Sequence, residues 1–69
     1  MNLSKFSDFG LCVKTKLLQI GKDQKWLEEA VTEKTGLFVD CSYMYKILTG
    51  QRNAPKIVEA IKEILHLEN

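Results

Sequence analysis

The segment SYMYKILTGQRNAP, residues 42–55, sets two tyrosines and a lysine among apolar residues at helical spacing. It stops at Gly50, adds Gln51, Arg52 and Asn53, and restarts at Pro55. Wound as a helix, it turns Met44, Ile47 and Leu48 inward. Cys41, Ser42, Tyr45, Lys46 and Thr49 are left outward, with Tyr43 at the border. A helix with an apolar back and a small polar front can enter the major groove of DNA. Lys46 would donate to guanine O6 or N7, and Ser42 can donate to or accept from several bases. Tyr45 would reach a phosphate with its hydroxyl or a thymine methyl with its ring. None of these forms a bidentate pair, so each contact discriminates bases only modestly. Cys41, Ser42, Tyr45 and Lys46 are therefore the candidate base contacts.

The donors that follow suit a different task. Thr49, Gln51, Arg52 and Asn53 lie at or just beyond the end of that helix. Phosphate contacts come from such positions and fix register without carrying sequence information. Gln24 and Lys25 stand at the start of an upstream helix, where unpaired backbone N–H groups favour an anion. These six are the candidate phosphate contacts.

Other chemistries find little support. Cys12 and Cys41 have neither CxxC spacing nor a His/Cys cluster around them, a pattern of free thiols in a reducing cytosol. His66 stands alone near the end of a helix. Glu28 and Glu29 are adjacent, so they point in different directions on a helix and make a poor acid/base pair. No nucleophile–base set, phosphate loop or metal spacing is present, and four short helices rarely enclose a pocket. The expectation is a non-enzyme with no metal, cofactor or small-molecule ligand. No apolar run approaches the ~20 residues that span a bilayer, and the first ten residues lack an apolar signal core. A soluble, cytoplasmic chain is expected.

The net charge of +1 conceals a block pattern. Residues 1–27 carry +3, residues 28–40 carry −3, residues 41–56 carry +3 with no acid, and residues 57–69 carry −2. Such a chain can fold with one basic and one acidic face.

With 69 residues the chain makes one small domain, taken here as 1–69, with a thin margin of stability. Its pattern predicts four short helices, or five, in an all-α bundle. The first spans 8–20, capped by Ser7, with Phe9, Val13, Leu17 and Ile20 on one stripe and Gly21 as its stop. The second spans 24–35, capped by Asp23, with Leu27, Ala30 and Val31 inward and Trp26 plugging the core edge. The third spans 41–49, capped by Asp40. The fourth spans 55–67, with Pro55 in its first turn and Ile57, Ile61, Ile64 and Leu65 as its stripe. The bridge Leu37-Phe38-Val39 is expected to plug the core. Gly10 alone among the glycines falls inside a helix.

DQKWL followed by SYMYKILTGQRNAP resembles the XRE, or lambda-repressor/Cro-like, helix-turn-helix regulators. In that family a Gln opens helix 2, a Ser-x-apolar-x-Lys/Arg-Ile-x-x-Gly run forms the recognition helix and its stop, and a basic-x-Pro turn follows. Here those positions are Gln24, Ser42, Met44, Lys46, Ile47, Gly50, Arg52 and Pro55. The resemblance covers roughly residues 8–66 and extends to small regulators of phages and integrative elements, including excisionase-like factors. It implies a helix-turn-helix in the bundle and repressor-type DNA binding, with Gln24, Ser42, Tyr45 and Lys46 as contacts. Two features depart from the pattern. Glu28 stands where the family has a small residue, with Ala30 available for the close packing instead. Gln24 and Asp40 are sixteen positions apart, six more than the pattern, so helix 2 or its turn is extended, carrying EKTGLFV.

The resulting expectation is a sequence-specific regulator of transcription that binds double-stranded DNA, acting as a homodimer or as adjacent copies. Two alternatives stay open. One is an excisionase-like architectural factor. The other is a protein-interaction module that keeps the fold without reading DNA, with Trp26, Phe38 and the acidic 28–40 block as its contact surface.

Overall fold

The computed structural model describes residues 5–67. Four helices follow in order: α1 (Asp8–Ile20), α2 (Gln24–Thr35), α3 (Cys41–Leu48) and α4 (Pro55–Leu65). No strand occurs among the described residues.

Local chemistry sets each boundary. Ser7, Asp23 and Asp40 are extended at the N-caps of α1, α2 and α3, and their side-chain oxygens accept from the N–H groups of Gly10, Trp26 and Tyr43. Each bond satisfies one of the donors a helix start leaves orphaned. Gly21 and Gly36 close α1 and α2 in the left-handed conformation. Pro55 occupies the first turn of α4, where its missing N–H costs nothing.

Two helices end earlier than the sequence pattern suggests. α3 stops at Leu48, with Thr49 as its C-cap, and α4 stops at Leu65, with His66 left-handed at φ 55°. The backbone N–H groups of Gln51 and Arg52 both turn back to the Lys46 carbonyl, at 2.8 and 3.2 Å, which terminates α3.

The core takes Val13 and Leu17 from α1, Leu27 and Val31 from α2, and Met44, Ile47 and Leu48 from α3. Ile57, Ala60, Ile61 and Leu65 come from α4, and Val39 and Ala54 from the connections. No polar or charged side chain is buried among the described residues, so the core itself is apolar. Trp26 and Phe9 are half-buried against it. Lys34 and Glu63 pair at 3.2 Å between α2 and α4, but both are largely exposed, so the bridge contributes under about 1 kcal/mol.

Three core expectations are corrected. Of the bridge Leu37-Phe38-Val39, only Val39 is buried; Leu37 is 45% and Phe38 79% exposed. Val39 is anchored by its N–H donating to Thr32 Oγ1 at 3.3 Å and fills the core, and Phe38 beside it faces out. Ile20 closes the predicted stripe of α1 but is exposed, because α1 ends there and the chain turns away at Gly21. Ala30 is only half-buried and is not part of the core. The close approach occurs instead at Gly10, where a Cβ would run into the Leu48 carbonyl oxygen and backbone. That crossing of α1 on α3 explains a glycine inside a helix.

Candidate nucleic-acid interface

α3 presents its polar front to solvent. At about 100° per residue, its buried residues Met44, Ile47 and Leu48 define the inward direction. Ser42 and Lys46 then lie at the centre of the opposite face, with Cys41 and Tyr45 on one flank and Tyr43 on the other. Cys41, Ser42, Tyr45 and Lys46 are all exposed, and Tyr43 is half-buried.

Each flank is held by a specific contact. The Tyr45 ring meets Phe6 edge-on, with centroids 6.0 Å apart and planes at 75°. This leaves Tyr45 38% exposed and restricts where its hydroxyl can go. On the other flank the Arg52 guanidinium sits over the Tyr43 ring, 5.2 Å from its centroid. Tyr43 and Lys46 are three apart on the helix and therefore neighbours on its surface. Arg52 is thus fixed close to the side of α3 from which Lys46 projects. The sequence does not reveal this stacking, because Tyr43 by spacing alone is a packing residue.

Gln24 brings α1, α2 and α3 together. Its Oε1 accepts from Lys14 Nζ at 2.8 Å, and its Nε2 donates to Glu28 Oε2 at 2.9 Å. Nε2 also lies 3.8 Å from Cys41 Sγ. A lysine donor on one side and a carboxylate acceptor on the other fix which way the amide points. Gln24 therefore does stand beside the start of α3, but its amide is engaged within the chain. Glu28 fills the position where a small residue is expected, and it puts a carboxylate at this end of the site. Lys25 is exposed next to it.

The turn after α3 is similarly ordered. Thr49 Oγ1 donates to the Tyr45 carbonyl at 2.9 Å and accepts from Gln51 Nε2 at 2.8 Å. These two side chains brace the turn as they stand. Gln51, Arg52 and Asn53 are exposed.

Charge is graded along the face. Asp40, exposed at the N-cap, and Glu28 flank the start of α3, while Lys46 and Arg52 mark its end. Asp40 also offsets the positive end of the helix dipole. An approaching polyanion is drawn toward the C-terminal half of α3.

Among the described residues, no group of three or more His, Cys, Asp and Glu could hold a metal ion, and no helix is long and apolar enough to cross a membrane. Cys12 and Cys41 are free and exposed. Comparisons with protein-family models, curated proteins and solved structures return no match.

Proposed function

We propose that this chain is a sequence-specific double-stranded DNA-binding regulator in which α2 and α3 act as a helix-turn-helix with an extended turn. The observation that carries this reading is the joint placement of Lys46 and Arg52. One projects from the middle of the exposed face of α3, and the other is stacked on Tyr43 beside it. No acid falls between residues 41 and 56 to oppose them. Ser42 and Lys46 would read base edges, with Cys41 and Tyr45 at the margin. Arg52, Asn53 and Lys25 would hold phosphates, Thr49 and Gln51 would shape the turn, and Gln24 would join once its amide is released from Glu28. Regulation would act by covering a promoter or by shaping DNA for a recombinase.

Titration of random-sequence duplex at low salt tests the reading. A groove-binding cation pair gives measurable non-specific affinity that falls steeply as salt rises. Absence of binding at low salt overturns it. Selection from a random duplex pool then yields the preferred site.

One observation favours a second reading as a protein-interaction module. Phe38 is 79% exposed and lines a groove with Glu28, Glu29, Glu33 and Asp40. Trp26 does not line that groove; it is half-buried, with Lys22 Nζ 5.6 Å from its ring centroid. The groove shares Lys25 and Cys41 with the proposed DNA contacts, and the duplex titration separates the two readings.

A further inference from the structure

Two exposed apolar features border the proposed DNA contacts, the first reaching Lys25 and Cys41 and the second Gln24, and they match each other. The first is a knob. Phe38 stands out of the α2–α3 connection at 79% exposure, and the groove it lines carries Glu28, Glu29, Glu33 and Asp40 against Lys25. The second is a hollow of about 280 Å³ on α1 and the start of α2, lined by Leu11, Leu17 and Leu18 with Lys14 and Lys22 against Asp23. Leu18 is 82% exposed. Lys14 lies four residues before Leu18 on the same face of α1, and Lys22 lines the hollow from beyond the helix end at Gly21.

We infer that a second copy of this chain is the partner of both features: Phe38 of one copy enters the Leu18 hollow of the next. Shape and charge both support the match. A protruding aromatic meets an apolar concavity, and an acidic rim of three net negative charges meets a basic one. Knob and hollow are different patches, so a pair joined by one contact keeps one of each free; copies either add in sequence or close as a two-fold pair in which each knob fills the other's hollow. The inference concerns the chain alone and does not depend on DNA binding.

Sedimentation equilibrium without DNA tests it. The weight-average mass should rise from the 7.9 kDa of one chain to the dimer or beyond with increasing concentration. Phe38→Glu and Leu18→Glu should each weaken association at least tenfold. Both positions are exposed, so neither change disturbs the core; circular dichroism confirms the helix content. A 1:1 mixture of the two variants should form a dimer and stop there, since it retains one intact knob and one intact hollow. A parent chain monomeric throughout overturns the inference. So does a Leu18→Glu chain that dimerises alone, or a mixture that stays monomeric.

Discussion

The hydroxyl and the backbone N–H of Ser7 both donate to the carbonyl of Leu48, each at 3.0 Å. The start of α1 therefore satisfies a carbonyl that the end of α3 leaves orphaned. The same hydroxyl accepts from Gly10 N–H at 3.0 Å, so one side chain caps α1 and ties it to α3. Gly10 allows this approach, since any Cβ there meets the Leu48 backbone. The orientation of α3 depends on this crossing.

Gly10→Ala tests the crossing. Helix propensity alone favours Ala by about 1 kcal/mol. Forcing a methyl against backbone costs more, and about 2 kcal/mol or more of net stability should be lost. Urea denaturation reads the change. Stability equal to or above the parent's contradicts the crossing.

Glu28→Gln should tighten duplex binding, a gain of function that a purely structural role would not give. The carboxylate beside Gln24 repels phosphate, whereas an amide there can still accept from Nε2. One like charge near a phosphate is worth about 1 kcal/mol at low salt, so affinity should rise by about threefold to tenfold and the gain should shrink as salt increases. Fluorescence anisotropy at two salt concentrations measures it. Unchanged or weaker binding would remove this end of α2 from the interface.

Tyr43→Leu should loosen Arg52 without removing its charge. An exposed cation–π contact is worth about 0.5–1 kcal/mol, which predicts duplex binding weaker by about two- to fivefold with the salt slope kept. Tyr43→Phe retains the ring and should bind like the parent. If Phe and Leu behave alike in binding, the stacking does not position Arg52.

The helices were legible because their signals are local. Ser7, Asp23 and Asp40 as caps, Gly21 and Gly36 as stops, and Pro55 in a first turn each act within a few residues. The inward faces of α3 and α4 followed from spacing, although Ala60 joins the core without being expected there. What could not be read was set by distant contacts. Phe38 looked like core because three consecutive apolar residues carry no period, and only the burial of Val39 decides which of them turns out. Gly10 had no local reason to stand in a helix; its reason is Leu48, far along the chain. Gln24 could be seen as a polar residue at a helix start, but its partners Lys14 and Cys41 come from two other helices. The exposure of the candidate base contacts was readable, whereas the Tyr43–Arg52 stack that fixes their neighbour was not.

Whether Lys46 and Arg52 together hold a duplex is read from the salt dependence of binding by Lys46→Ala/Arg52→Ala. Both side chains are exposed, so the double variant should fold like the parent. Each lost cation–phosphate contact removes about 0.9 from the slope of log affinity against log salt. Binding should be much weaker at low salt and the slope flatter by about 1, the share of Arg52 on phosphate. A folded double variant with the parent's affinity and slope would contradict that joint role.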